Sequence, residues 1–391
     1  MKRSHTGKYD TTSVGGETVR AFIPHPLPPD PPLDLSGSLS PLLDRALLAV
    51  GRLDSVTTLL PRTDLFLYSY VRKEAVLSSQ IEGTQSSLSD LLLFEMDQQP
   101  GVPVVDAQEA SNYVRAMEYG VSRLRSGFPF SARLMREIHK KLLSKGRGNE
   151  KDPGEFRRSQ NWIGGTRPGN AIFVPPPHTA VSGCVSELEK FMHAERNNLS
   201  ILVKAGLLHV QFETIHPFLD GNGRVGRLLV TLSLCSAGVL HEPLLYLSLF
   251  LKQHRTQYYD LLQAVRKDGD WEAWLEFFLE GIAVTAEGAV RTARQLVTLF
   301  DRDQIKIKTK GRQAGSLLRV HEALKERPLA TLSETAKRSG LSFPAASSAM
   351  EILIQMKIAR ELTGRRRNRV FAYDRYLRVL SEGTEPSKFD S

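Results

Sequence analysis

The stretch HPFLDGNGRVGR, from His216 to Arg227, decides how this chain is read. On its N-terminal side residues 200–215 are apolar at helical spacing, and Pro217 ends that helix, so His216 sits at a helix C-terminus facing a loop. Gly221, Asn222 and Gly223 fill the loop just before a second helix that begins near Arg224. Glycines allow close backbone approach and a helix N-terminus carries partial positive charge, so successive amides here form a nest for phosphate oxygens. Arg224 and Arg227 lie three residues apart on the first turn of that helix, where both can grip further phosphates. Asp220 is the loop's one carboxylate and suits Mg²⁺, which takes one or two carboxylates together with substrate phosphates. His216 is the nearby group whose ordinary pKa suits a general base. A base, a metal ligand and an anion nest within twelve residues predict transfer of a phosphate-containing group. The pattern is not a Walker A loop, which needs G-x-x-x-x-G-K-[ST].

Outward from this loop nearly every segment is helical in period: 41–60, 64–81, 86–96, 105–126, 131–144, 179–196, 200–215, 224–238, 250–267 and 270–300. The fold class is therefore mainly α. One exception is 160–177, where a Gly164-Gly165 pair and Pro168-Gly169 separate Trp162-Ile163 from Ile172-Phe173-Val174, the pattern of a β-hairpin flap. Residues 1–35 are polar, then proline-rich from Pro24 to Pro32, and predict an extended polyproline-like arm. Residues 301–314 are hydrophilic and read as a linker. From 315 to 380, three helices followed by two short β-like runs around Gly364 to Asn368 give a winged helix-turn-helix pattern. A tail, 381–391, follows.

The chain has 391 residues, 41% hydrophobic and 24% charged, which rules out global disorder and allows two or three domains. Its net charge of +9 raises a nucleic-acid partner at once. Residues 305–391, however, hold 18 basic and 9 acidic side chains, so the surplus belongs to the C-terminal unit and the rest is neutral. The two cysteines, Cys184 and Cys235, have no metal or redox spacing, which excludes a disulfide scaffold or a cysteine-based zinc site. With no apolar leader and no run long enough to span a bilayer, a soluble, cytoplasmic protein with no membrane partner is expected.

Residues 216–227 resemble, without departure, the H-x-F-x-[DE]-G-N-G-R-x-x-R signature of Fic domain proteins, most of which move AMP from ATP to a protein hydroxyl. The resemblance implies a Fic-type helical bundle and, by position, His216 as the base, Phe218 as the loop's anchor and Asp220 as the Mg²⁺ ligand. Gly221, Asn222 and Gly223 would form the anion hole, and Arg224, Gly226 and Arg227 would complete the nucleotide site. Residues 78–83, SSQIEG, are similar to the family's inhibitory pattern [ST]-x-x-x-E-[GN], which makes Ser78, Glu82 and Gly83 regulatory, with Glu82 paired to Arg227 in competition with the γ-phosphate. The flap, including Ile163 and Gly164, would cover the nucleotide and align the target by strand addition. His254, Tyr258 and Tyr259 resemble the segment that closes the adenine pocket, although His254 stands where many relatives have asparagine.

The implied organisation is an N-terminal extension over 1–100, a catalytic domain over 101–300, the linker, the winged unit and the tail. Expected partners are a protein bearing a serine, threonine or tyrosine hydroxyl and a second copy of the chain. The alternative is a DNA-binding regulator whose core senses nucleotide or modifies itself, with Arg365, Arg366, Arg367 and Arg369 contacting phosphates from the wing.

Overall fold

A helix buried on nearly every side must be mostly apolar, and ILVKAGLLHVQFETI, residues 201–215, meets that condition. In the computed structural model, which describes residues 3, 6–59, 63–194, 199–365 and 367–385, this segment is the central helix α7 (Ile201–Ile215), buried from Leu202 onward except at Lys204. It packs against α8 (Asn222–Ser236), the helix that follows the loop. Around this pair stand α1 (Leu39–Leu59), α2 (Thr63–Ile81), α3 (Leu88–Glu95), α4 (Val104–Arg125), α5 (Ala132–Leu142) and α6 (His178–His193). The shell is completed by α9 (Ser248–Gln253), α10 (Arg255–Asp268) and α11 (Trp271–Lys308). The expected helix 250–267 is thus two helices, broken at His254.

Three expectations are corrected. The N-terminal arm is extended only around its prolines, because β1 (Gly7–Val14) and β2 (Glu17–Pro24) pair as an antiparallel hairpin. Gly15 and Gly16, both at positive φ, make the two-residue turn that such a hairpin needs. The flap is not a full hairpin. Ile163 and Phe173 form a single bridge, and beyond it Pro168 and the Pro175–Pro177 run leave no ladder donors, so Val174 pairs instead with Phe22 of β2. Finally, 301–314 is no linker: α11 continues to Lys308, because Asp303 and Ile307 extend its buried stripe at helical spacing.

The C-terminal unit follows as α12 (Ala314–Glu326), β3 (Leu329–Thr331), α13 (Leu332–Ser339), α14 (Phe343–Gln355), β4 (Arg360–Glu361), β5 (Val370–Ala372) and α15 (Asp374–Ser381). Thr331 and Glu334 form a capping box at the start of α13, Gly340 at φ 61° ends it, and Ser342 caps α14. The strands order β3-β5-β4, all antiparallel. This unit is not loosely tethered. Tyr373 donates its hydroxyl to buried Asp303 of α11 at 2.8 Å, and Tyr376 shares a buried 3.1 Å hydrogen bond with Ser69 of α2. Beyond α15, the Thr384 carbonyl accepts from Gln80 Nε2 at 2.8 Å, and Lys252 Nζ bridges Gln80 Oε1 and the Glu385 carbonyl. Thr384 and Glu385 therefore lie along the helix that leads to Glu82. No helix among the described residues is long and apolar enough to cross a membrane.

Candidate active site

The loop between α7 and α8 is held from three sides. Phe218, fully buried, stacks on His139 of α5 with ring centroids 3.8 Å apart. Gly154 N–H donates to His139 Nδ1 at 2.8 Å, which leaves Nε2 to carry the proton and donate to the Asp220 carbonyl at 3.0 Å. Burial pushes the His139 imidazole down to about 4, so it stays neutral and keeps that tautomer. Arg157 closes the second side: its Nε donates to the His216 carbonyl at 2.9 Å, and Nη2 to the Pro176 carbonyl at the base of the flap. Asn222 closes the third by spanning the loop, accepting from Phe218 N–H and donating to the Phe218 carbonyl, both at 2.9 Å.

His216 caps α7 in the left-handed region (φ 49°, ψ 61°). Burial lowers its pKa to about 3, with Arg266 and Arg157 adding to the shift, so the imidazole is neutral and has a lone pair to accept a proton. Across the loop α8 presents the backbone N–H groups of Asn222, Gly223 and Arg224, the first of the helix, which have no intrahelical acceptor. The Gly221 N–H is committed to Asp220 Oδ1 at 2.5 Å. The amides left over at the start of α8 are thus those of Asn222, Gly223 and Arg224, while the Asn222 side chain is spent on Phe218 within the loop.

Both arginines of the loop are held by carboxylates from outside it. Glu82, just past the end of α2, accepts from Arg227 Nη2 at 2.7 Å. Ser78 reinforces the contact, with its hydroxyl accepting from Arg227 Nε at 2.8 Å and its carbonyl from Nη2 at 3.0 Å. Glu82 lies so close over Gly223 that any Cβ there would strike its Oε1. Burial pushes the Glu82 carboxyl up, but Arg227 outweighs it and the net position is below the ordinary carboxylate value. Arg224 pairs with Glu109 of α4 at 3.0 Å, both fully buried, and lies 3.5 Å from Asp220. Asp220 keeps 38% of its side chain exposed, and among the described residues there is no cluster of three metal-ligating side chains. An accessible carboxylate beside the first amides of a helix fits Mg²⁺, which takes its other ligands from phosphate and water, and does not fit a preformed zinc or calcium cage.

Residues 40–122 match the Fic/DOC family N-terminal region and residues 129–234 match the Fic/DOC family itself. The chain carries a Fic/DOC N-terminal region followed by a Fic/DOC domain. It is 37% identical over 145 residues to the protein adenylyltransferase Fic of Culex quinquefasciatus, covering 37% of this chain and 26% of that one. The corresponding protein of Drosophila grimshawi is 31% identical over 166 residues, covering 42% and 31%. The chain thus spans about a quarter to a third of the length of these curated relatives. A solved Fic family protein from Desulfovibrio desulfuricans superposes with a TM-score of 0.55 at 19% identity, covering 86% of this chain and 97% of that one. A Fic domain protein from Bacteroides thetaiotaomicron gives 0.52 at 18% identity, covering 64% and 97%. At such identity these two share the fold alone.

Around the Fic loop the other expected residues divide. Gly226 packs under Glu213, whose Oε1 would stand 2.5 Å from a Cβ at that position. Burial lifts the Glu213 carboxyl to about 7 against the opposing pull of Arg227. Tyr258 is core, its hydroxyl 2.8 Å from His209 Nε2. Tyr259 stays 42% exposed, within electrostatic reach of Glu82 and Arg227. His254 rests on Phe250 and Phe277, and its Nδ1 lies 2.9 Å from the Phe250 carbonyl, so it serves the α9–α10 junction. Gly164, at φ 67°, lies under Ile172 where a Cβ would be 2.6 Å from Ile172 Cδ1, and Ile163 makes the flap's one bridge.

At the C-terminal unit, Arg369 is engaged by Glu351 at 2.8 Å and lies over Phe371. Arg365 and Arg367 are exposed, and Arg366 lies outside the described residues. Helix α14, the second helix of the helix-turn-helix, contains no lysine or arginine.

Sequence reasoning missed Glu109, Arg157 and His139. Glu109 had one available signal, an acid on the apolar stripe of α4 with Tyr113 and Met117. The other two are ordinary residues until the loop folds against them.

Proposed function

We propose that this chain transfers AMP from ATP to a serine, threonine or tyrosine hydroxyl of a protein, and that Glu82 restrains the reaction. The observation that carries this reading is a neutral His216 at the end of α7, facing the free amides at the start of α8 across a loop with one accessible carboxylate. The target hydroxyl gives its proton to His216 while its oxygen attacks the α-phosphorus of ATP. The new O–P bond forms as the bond from the α-phosphorus to the bridging oxygen breaks, and pyrophosphate leaves. The amides of Asn222 to Arg224 stabilise the charge on the non-bridging oxygens, which is where catalysis by positioned dipoles gains most. Asp220 would hold Mg²⁺, which supplies charge neutralisation on the phosphates. Arg227 orients the outer phosphates once Glu82 leaves it.

The test is incorporation of labelled AMP by the Glu82→Gly chain, into itself or into a lysate protein. Incorporation should rise over the parent and be lost when His216→Ala is added. No labelling from ATP, UTP, GTP or CTP by Glu82→Gly would overturn the reading. Two further elements belong to it: residues 315–380 as a winged-helix docking unit, and the protein side of that docking. An α14 without a basic residue supports protein contact over DNA, since a helix that reads DNA needs cations for phosphates and guanines.

A further inference from the structure

Loop 143–154, between α5 and the Arg157 strap, carries KGRGN at 145–149. Its arginine touches the site from a direction that the motif does not reveal. Arg147 Nε donates to Glu109 Oε1 at 2.8 Å, while Oε2 of the same carboxylate takes Arg224 at 3.0 Å. One buried carboxylate thus serves two guanidinium groups in different settings. Arg224 is 3% exposed and Arg147 is 54% exposed. A buried cation stripped of its counter-ion is strongly destabilised, whereas a half-exposed one is not. If either arginine is to leave Glu109 for an arriving anion, it is Arg147.

The loop is built for that exchange. Gly146 and Gly148 flank Arg147 at φ 82° and 83°, and Asn112 Nδ2 anchors the Lys145 carbonyl at 2.7 Å. Gly148 is pressed against the Asp220 carboxylate so closely that a Cβ would stand 2.6 Å from Oδ2. The backbone on one side of Arg147 therefore abuts the carboxylate that addresses the triphosphate, and Arg147 lies within electrostatic reach of it. The charge count of the site favours a third cation. A bound nucleoside triphosphate is more negative than the metal, Arg224 and Arg227 can offset, because Asp220 and Glu109 are negative as well.

Resting on the adenylyl-transfer reading above, we propose that Arg147 is a further substrate-binding residue, which swings from Glu109 to the β- and γ-phosphates of the nucleotide and holds the pyrophosphate as it leaves. Its ligand class is a polyphosphate, bound as the outer phosphates of a nucleoside triphosphate or as free pyrophosphate. A charge-assisted guanidinium–phosphate contact of this kind corresponds to about tenfold in affinity.

The experiment compares Arg147→Ala and Arg147→Lys with the parent, all in the Glu82→Gly chain with Mg²⁺, by calorimetric titration with ATP, pyrophosphate and AMP, and by AMP incorporation against ATP concentration. Arg147→Ala should weaken ATP and pyrophosphate about tenfold and leave AMP, which lacks outer phosphates, unchanged. Arg147→Lys should recover part of the loss, and the incorporation data should show a raised KM for ATP. Equal weakening of AMP and ATP would mean that the loop merely supports Asp220, and unchanged ATP and pyrophosphate binding would mean that Arg147 never leaves Glu109. Either result overturns the proposal. Should the Glu82→Gly parent bind ATP but transfer nothing, the adenylyl-transfer reading fails, while the contrast among ATP, pyrophosphate and AMP still decides the role of Arg147.

Discussion

Glu109 with Arg224 and Glu82 with Arg227 are the same chemistry placed in two kinds of scaffold. Glu109 lies in the second turn of the 22-residue α4, is 1% exposed, and is paired with both Arg224 and Arg147. Glu82 lies beyond the last residue of α2, before Gly83 at φ 98°, and is 34% exposed. The first pair is the costlier to open, because Glu109 would keep only the half-exposed Arg147 and buried Arg224 only its longer contact to Asp220. The second can open by moving one turn of chain, because Ser78 remains to satisfy Arg227. One arginine of the Fic loop is thereby fixed and the other is free to be regulated. The helix that leads to Glu82, α2, is also the one the C-terminal segment touches, through Ser69 and Gln80, with Lys252 of α9 bridging Gln80 to Glu385.

This contrast can be broken or sharpened experimentally. The largest effect is expected at the fixed pair: Glu109→Ala should cost about 3–5 kcal/mol of stability, because it leaves buried Arg224 with only its 3.5 Å contact to Asp220. Denaturant midpoints measure it, and a loss below about 1 kcal/mol would show that the pair is not the anchor described. Glu82→Gly should instead leave the fold nearly as stable and raise AMP incorporation about tenfold or more, the gain expected when a charge-assisted contact no longer competes for Arg227. A Glu82→Gly chain as destabilised as Glu109→Ala would erase the difference between the two regions.

The pH dependence gives a third check. Since the Glu82 carboxyl is held below its ordinary value, its contribution is present above the ordinary carboxylate range and is lost only as pH falls through the lowered value. The incorporation ratio of Glu82→Gly to parent should therefore stay constant from pH 6 to 8. A ratio that collapses near pH 6 would place the restraint on another group. The smallest effect concerns the contact at Thr384. Gln80→Ala removes the link between α2 and Thr384 and should raise parent incorporation by about two- to threefold, as expected for loosening one ordinary hydrogen-bonded contact. An unchanged rate would mean that α2 is held by its own packing alone.

Much of this was legible beforehand. Helices α4, α7 and α11 follow apolar spacing that the chain cannot satisfy in any other conformation, and the loop residues His216 to Arg227 announce an anion site by type and order. Glu82 was legible through its local pattern, and the structure brings it to Arg227. The hairpin of residues 7–24 was missed because the prolines beyond it dominated the reading, although Gly15-Gly16 marks its turn. The flap was overread, since a β-like composition forms a ladder only where a partner strand has donors to offer.

By itself, the sequence determined what depends on neighbours in the chain: where helices run, where Pro217 stops one, and which residues gather in a twelve-residue loop. Tertiary structure alone decided the counter-ions. Glu109 reaches Arg224 across 115 positions and Glu82 reaches Arg227 across 145, and nothing in local propensity reports such distances. The physical reason is that a buried guanidinium demands a carboxylate but is indifferent to where in the chain it comes from. Packing of α2 and α4 against α8 makes that choice, and with it decides which arginine is anchored and which is held in reserve.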